Sequence, residues 1–354
     1  MTQRPTMANV ARLAGVSKMT VSRVINQQPS VSETARVQVL SAIEALGYVP
    51  SQRGRSLAVG RSNLLGLLVL NIVSEWVWPL ILGVGQAAEK LGYQILLRTT
   101  GPGEVASFDT HRPLFGSDWV DGLIIVSWRV PVTFARELAQ RNFPVVLIDA
   151  YVRPEHVNWV STEDRSGARA GTIYLAGLGH RRMGFIGGGE QPYLAQQRLA
   201  GFLDGLAVSG LTQSDAIIVQ GDFSRESGYQ QAQALLRQEP RPTAIFAAND
   251  LMAVGVLDAA HELGLSLPGD LSVMGFDNTI ITTHVNPTLT TVARPYQNMG
   301  ITAVQLLVET ITAAPEERQA KQSDLPTELI VRQSTAPPRS TEDNNNAPEK
   351  GGAF

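Results

Sequence analysis

The residue types that catalysis needs are sparse or badly spaced in this chain. There is no cysteine, which excludes disulfides, thiolate metal sites and cysteine nucleophiles and fits a reducing compartment. The run Phe185-Ile186-Gly187-Gly188-Gly189 follows an apolar stretch as a dinucleotide loop would. It lacks the third glycine at the right spacing, and Pro192 follows closely. No G-x-S-x-G turn, H-E-x-x-H pair or Walker-type loop is present. His180 sits in a turn before a strand and reads as structural. The chemistry that does stand out is recognition of a polyanion. Residues 1–62 carry Arg4, Arg12, Lys18, Arg23, Arg36, Arg53, Arg55 and Arg61 against only Glu33 and Glu44. The net charge of −3 therefore hides a basic head on an acidic body, and only the head is expected to meet a polyanion.

These residues need elements to hold them. At 354 residues the chain is too long for one ordinary domain. Its 44% hydrophobic and 17% charged content is that of a core-forming protein rather than a disordered one. No apolar run is long enough to cross a bilayer, and Met1 to Pro5 lacks the apolar segment of a secretory signal. The expected location is the cytoplasm. In the head, Thr6, Ser17 and Ser32 can cap three short helices. The first holds Val10, Leu13 and Ala14 and stops at Gly15. The second holds Thr20, Val21, Val24 and Ile25 and ends near Asn26. The third holds Val39, Ile43 and Leu46 and stops at Gly47. The first two, joined through Ala14-Gly15-Val16, have the tight turn of a helix-turn-helix, whose second helix lies in the major groove of DNA.

From Leu64 the period changes. Strand-like runs at Leu64–Leu70, Gln94–Arg98, Gly122–Ser127 and Val145–Asp149 form one series. Runs at Met183–Gly187, Ala216–Gln220, Ala244–Ala247 and Leu271–Phe276 form a second. Amphipathic helices such as Leu80–Leu91 and Leu251–Leu263 lie between them, ending at Gly92 and Gly264. This alternation predicts an α/β body of doubly wound parallel sheets in two similar lobes. Ligands of such sheets bind beyond the carboxyl ends of the strands, so facing lobes would enclose a cleft. Residues 336–354, with Pro337-Pro338, Asn344-Asn345-Asn346 and Gly351-Gly352, have no periodic apolar positions and read as a disordered tail.

The segments Thr6-Met7-Ala8-Asn9-Val10-Ala11-Arg12-Leu13-Ala14-Gly15-Val16-Ser17 and Thr20-Val21-Ser22-Arg23-Val24-Ile25-Asn26 resemble the headpiece of LacI/GalR-type transcriptional repressors. So do Val31 to Arg36 and Leu46 to Pro50. The likeness continues through Gly179 to Arg182, Arg198 to Phe202, Ala247 to Ala253, Val273 to Asn278 and Pro287 to Val292, covering residues 5–335. The stretches Ser334 to Pro338 and Ser74 to Trp76 are most similar to the xylose-repressor-like branch. The resemblance implies a helix-turn-helix head over residues 5–50, a hinge helix over 51–61 and a two-lobed body, like a periplasmic binding protein, over 62–335. Lobe 1 would comprise about 62–160 plus 292–320, and lobe 2 about 161–290 plus 321–335. A homodimer that binds operator DNA under the control of a small sugar is the implied function, with no enzyme activity, cofactor, metal or membrane.

Carried over by position, Lys18, Met19 and Arg23 match the base-contacting positions of the recognition helix, and Lys18 reads equally as a phosphate contact. An arginine can bond a guanine bidentately, whereas Met19 offers only apolar contact. Ser17, Thr20 and Ser22 carry hydroxyls suited to phosphate contacts that set docking without reading sequence, and Thr6 and Asn26 are further DNA-binding positions. In the implied hinge helix, Leu57 holds the place of a minor-groove wedge, flanked by Arg53 and Arg55. Gly54 replaces the usual alanine and weakens that helix. For the sugar the resemblance implies Asp149, Arg198, Asn249 and Asp277 as hydroxyl partners, with Trp76 and Trp78 as ring faces and Arg294 and Tyr296 on the last crossover. Asn249 opens a helix and reads equally as a plain cap. A periplasmic sugar-binding protein shares the lobed fold, but the helix-turn-helix argues for the regulator.

Overall fold

The structure is a computed structural model, and it describes residues 5–26, 28–49, 61–70, 72, 74–100, 119–126, 132–150, 152–189 and 193–339. The chain divides into two compact units, a small one built on the first 64 residues and a large one holding most of the rest.

The small unit is a three-helix head: α1 (Met7–Leu13), α2 (Lys18–Ile25) and α3 (Glu33–Leu46). Each helix starts at the cap that its sequence announces. Thr6 N–H donates to Asn9 Oδ1 at 2.9 Å. Ser17 Oγ accepts from Thr20 N–H at 3.1 Å, and Ser32 Oγ from Ala35 N–H at 3.3 Å. Gly15 (φ 66°) and Gly47 (φ 57°) take the left-handed conformation that ends α1 and α3 without the penalty a side chain would incur. Val10, Val21 and Val39 are fully buried at the centre, one from each helix. Burial of a valine is worth about 1.5–3 kcal/mol, so these three positions hold the head together.

The large unit contains two six-stranded sheets, ordered β11-β5-β4-β3-β1-β2 and β12-β10-β9-β8-β6-β7. Lobe 1 is built on β1 (Leu64–Leu70), β2 (Gln94–Thr100), β3 (Gly122–Val126), β4 (Val145–Ile148), β5 (Asn158–Thr162) and β11 (Gln322–Leu325). Lobe 2 is built on β6 (Met183–Gly187), β7 (Ala216–Gln220), β8 (Ala244–Ala247), β9 (Ser272–Asp277), β10 (Thr290–Ala293) and β12 (Glu328–Ile330). β10 and β12 pair antiparallel, whereas β3–β4, β4–β5, β6–β8, β8–β9 and β9–β10 are parallel. The inner strands β3, β4 and β8 are apolar throughout because both faces are covered. In lobe 1, Leu65, Leu67, Ile124, Val146 and Val160 pack under α4 (Val77–Lys90) and α10 (Tyr296–Thr312), and α5 (Val132–Gln140) lies against β4. In lobe 2, α6 (Asp164–Gly177) and α7 (Tyr193–Val208) cover one face of the sheet, and Phe202 of α7 stacks on Phe185 and meets Phe246 edge-on. The other face of that sheet is covered by α8 (Arg225–Leu236) and α9 (Asp250–Glu262). α8 and α9 approach so closely that a Cβ on Gly255 would stand 2.1 Å from the Arg225 carbonyl oxygen. Only glycine fits there.

The chain crosses between the lobes three times, at β5 to α6, at β10 to α10 and between β11 and β12. The third crossing lies at residues 326–327 and not at 320–321, where the sequence placed it. β11 reads Gln-Ser-Asp-Leu, which carries no apolar alternation to announce a strand. The expected tail needs a second correction. Ala336 to Arg339 are ordered along lobe 2, because Ala336 N–H donates to Ser272 Oγ at 3.0 Å and Arg339 pairs with Asp270 at 2.6 Å. His180, buried, binds Thr243 Oγ1 at 2.9 Å and the Ala336 carbonyl at 3.0 Å, the structural role its sequence context indicated. Residues 340–354 lie outside the described residues.

Candidate functional sites

On the head, α2 divides cleanly. Val21 and Val24 face the core, while Lys18, Met19 and Arg23 are exposed, Met19 at 63%. Met19, Ser22, Arg23 and Asn26 recur at helical spacing and so form one stripe, opposite the buried valines. Asn26 Nδ2 donates to Ser22 Oγ at 3.4 Å, which orients the end of that stripe. Ser17 and Thr20 share a hydroxyl contact of 2.9 Å at the start of α2, where both also serve the cap. Thr6 closes the start of α1. Arg53, Gly54, Arg55 and Leu57 lie outside the described residues.

In the body, Asp149, Arg198, Asp277, Arg294, Tyr296 and Trp76 come together at the carboxyl ends of the strands. Asp149 follows β4 and Asp277 ends β9, and both residues hold a positive φ, 53° and 109°. A non-glycine residue in that region is strained and persists where its surroundings over-determine it, as at binding sites. The Arg294 guanidinium forks onto Asp149, with Nη2 to Oδ1 at 2.6 Å and Nη1 to Oδ2 at 2.8 Å, while its Nε reaches Thr162 Oγ1 at 2.7 Å. Arg198 donates from Nε to Asp164 at 2.9 Å, from Nη2 to Asp277 at 2.9 Å and from Nη1 to the Ala248 carbonyl. Asp164 joins the two halves, since Arg294 Nε also lies 3.3 Å from its Oδ1. Tyr296 Oη donates to Asp277 at 2.9 Å and the ring stacks on Trp76 at 5.4 Å. The Arg198 guanidinium lies 3.9 Å above the Phe276 ring. Because these groups come from both sheets and from two crossovers, the site spans the lobes.

Burial and neighbours set the charge of this cluster. Burial works to raise the Asp164 carboxyl, but Arg294 and Arg198 outweigh it and hold it below the ordinary carboxylate range. For Asp277 burial prevails over the pull of Arg198 and Arg294, and its pKa rises. Asp250, which opens α9 behind the site, is pushed up to about 8 by burial and by the Asp277 charge. The Thr291 hydroxyl (2.6 Å) and the Thr279 N–H (2.7 Å) donate to it and oppose that rise.

A carboxyl protonated in the fold but ionised when unfolded loses its stabilising contribution as pH rises. For Asp250 the loss runs from its ordinary value of 3.8 up to about 8 and levels off above. Urea unfolding of the native protein is expected to show stability falling between pH 6 and 8, by at most about 1.4 kcal/mol per pH unit. Asp250→Asn is expected to flatten that slope. An identical slope in the variant would assign the pH dependence elsewhere.

Two expected ligand residues do not join the cluster. Asn249 is committed to capping: its Oδ1 accepts from Met252 N–H at 2.9 Å and its Nδ2 donates to the Phe223 carbonyl at 3.0 Å. Trp78 lies on the outer surface of α4, 57% exposed. Three residues that the sequence did not single out belong to the site. Thr162 ends, and Asp164 follows, a five-residue strand with little apolar pattern, and the Glu163-Asp164 pair that opens α6 was the only local signal. Phe223 holds a positive φ of 70°, and Arg198 lies 6.0 Å from its ring. A cavity of about 130 Å³ lined by Asn142, His156, Asn158 and Arg318 lies at the opposite, amino-terminal ends of β4 and β5. It shares no residue with the cluster.

A helix-turn-helix with one basic, exposed helix face and a two-lobed body with a polar buried site between its lobes together define a ligand-responsive DNA-binding regulator. Comparison with known proteins agrees. Residues 6–51 match the bacterial regulatory proteins of the lacI family, and residues 172–335 match the periplasmic binding protein-like domain. The chain is 33% identical over 331 residues to catabolite control protein A of Priestia megaterium, covering 93% of this chain and 99% of that protein. It is 35% identical over 333 residues to the HTH-type transcriptional repressor PurR of Erwinia tasmaniensis, covering 94% and 97%. The lac repressor dimer bound to operator and the anti-inducer ONPF superimposes with a TM-score of 0.83 at 29% identity, over 94% of this chain and all of that one. The transcriptional regulator CelR–cellobiose complex gives 0.68 at 32% identity, over 94% and 100%. The chain belongs to the LacI family of bacterial transcription regulators. It is a DNA-binding protein and not an enzyme, and no helix among the described residues is long and apolar enough to cross a membrane.

Proposed function

We propose that the protein is a cytoplasmic repressor of carbohydrate-utilisation genes, that it binds a near-palindromic operator as a homodimer, and that a small sugar between its lobes controls the grip. The observation that carries the sugar reading is the buried Asp149–Arg294–Asp164–Arg198–Asp277 chain across the lobes. Every guanidinium nitrogen already has an acceptor, so a ligand meets the lone pairs of paired carboxylates, and these suit a molecule rich in hydroxyl donors. The Phe223 ring beside Arg198 and the Trp76–Tyr296 stack supply apolar faces for a sugar ring. The CelR structure with cellobiose and a LacI-family structure from Enterococcus faecium with bound ribose support a carbohydrate of this kind.

On the DNA side, Met19 and Arg23 meet base edges, Lys18 a base or a phosphate, and Ser17, Thr20 and Ser22 phosphates, with Thr6 and Asn26 as further DNA contacts. By the resemblance, residues 51–61 would serve as the hinge, Leu57 as its minor-groove wedge and Arg53 and Arg55 as its contacts beside the groove. One recognition helix reads only a few base pairs, so a two-fold dimer doubles the specific contacts. Selection of DNA from a randomised library by the intact protein is expected to enrich paired, inverted half-sites. Recovery of single half-sites, or of no preferred sequence, would contradict the reading.

A further inference from the structure

We infer that the ligand of the interlobe cleft is uncharged, and that Asp149 and Asp277 act as guards that keep sugar acids and sugar phosphates out by occupying the two buried arginines. The inference rests on the carbohydrate reading above and narrows it by charge.

The ground is the pairing pattern. Arginines in a sugar cleft would by themselves invite an anion, because a guanidinium fork fits carboxylate and phosphate. Here neither fork is free. Both Nη atoms of Arg294 are held by Asp149 and its Nε by Thr162. All three nitrogens of Arg198 have acceptors in Asp164, Ala248 and Asp277. Both arginines are nearly wholly buried, as are the three carboxylates paired with them. Among the described residues of the cluster, three paired carboxylates and the Asp250 carboxyl behind them face only two cations.

An incoming anion has two routes, and both are unfavourable. It can displace Asp149 or Asp277 from its arginine, which leaves that aspartate buried without a partner. It can bind beside the intact pairs, where it meets uncompensated negative charge in a medium that screens poorly. A hydroxyl group avoids both, because it can donate to the spare lone pair of a carboxylate while the ion pair stays intact. The Asp149 carboxylate sits 2.6 and 2.8 Å from the Arg294 nitrogens, and Asp277 accepts at 2.9 Å from both Arg198 and Tyr296, so admitting an anion means breaking these contacts. Burial, and after it the Asp277 charge, push Asp250 up to about 8, which accords with the shortage of cations in the cluster.

The test uses the intact protein and inorganic phosphate as probe, by calorimetry near pH 7. The native protein is expected to show no saturable phosphate binding, whereas Asp149→Asn, which frees the Arg294 fork, is expected to bind phosphate at least about tenfold more tightly than native. In parallel, ribose is compared with ribose 5-phosphate and cellobiose with cellobionic acid on the native protein, and the neutral member of each pair is expected to give the larger thermal shift. Saturable phosphate binding by the native protein, a larger shift from either anion, or no gain in a folded Asp149→Asn protein would each overturn the inference. If Asp149→Asn does not fold, the native protein's response to phosphate and to the sugar pairs decides. Failure of every sugar, neutral or charged, to change operator binding would instead remove the carbohydrate reading, which the phosphate titration does not depend on.

Discussion

Arg198→Ala is expected to lower the stability of the two-lobed body by about 3–5 kcal/mol, the usual result of breaking a buried ion pair by removing one partner. The size follows from what is left behind. Asp164 and Asp277, both buried, would each lose a 2.9 Å guanidinium contact. The Ala248 carbonyl would lose its donor, and the Phe276 ring its cationic neighbour. Burial already works against the ionised Asp277 carboxyl, so this group is expected to take up a proton in the variant. The response to sugar should disappear as well, because the groups that shape the cleft lose their anchor. Arg198→Lys keeps the charge but cannot serve three acceptors in one plane, and an intermediate loss is expected. Denaturant unfolding measures both variants. A loss below about 1 kcal/mol for Arg198→Ala would mean that the cluster contributes little to the fold.

The second large effect is expected on DNA. Arg23→Ala should weaken operator binding by about 1–3 kcal/mol, roughly 5- to 150-fold, and flatten the preference at one symmetry-related pair of base positions. Arg23 is exposed on α2, opposite the buried Val21 and Val24, so the substitution leaves the head's core intact. Fluorescence anisotropy against an operator series with single base changes separates two roles. Loss of preference at one position identifies base reading. Uniform weakening with a smaller salt slope identifies a phosphate contact and contradicts the assignment.

How much of this could be read from the sequence varies with how local the determining physics is. The head was legible almost to the residue, because Thr6, Ser17, Ser32 and Gly47 act on backbone groups three or four positions away. The central strands were legible for a related reason: burial on both faces leaves unbroken apolar runs such as Gly122–Val126. The crossovers were not. β5, β10, β11 and β12 are short and polar, and pairing with distant strands makes them strands. The order of Ala336 to Arg339 is likewise a property of Ser272, His180 and Asp270 rather than of the Pro-Pro pair itself.

The site shows the same division. Resemblance named Asp149, Arg198, Asp277, Arg294 and Tyr296, and the fold brings them together. That Asp149 and Arg294, 145 positions apart, would neutralise one another is set by where a crossover meets a strand end. Local sequence offers no signal for that. Asn249 went the other way, since the cap its position suggested consumes the side chain. Asp164 was missed because its partners lie 34 positions away on α7 and in the second crossover.

The central claim is that occupancy of the cleft and grip on DNA are coupled. The direct measurement is operator affinity of the intact protein with and without a sugar that raises its melting temperature. The sugar is expected to close the lobes onto the Asp149–Arg294 and Arg198–Asp277 pairs and to weaken operator binding by about 1–3 kcal/mol, roughly 5- to 150-fold. Operator DNA must then weaken sugar binding by the same factor. A sugar that stabilises the protein yet leaves operator affinity unchanged would contradict the account.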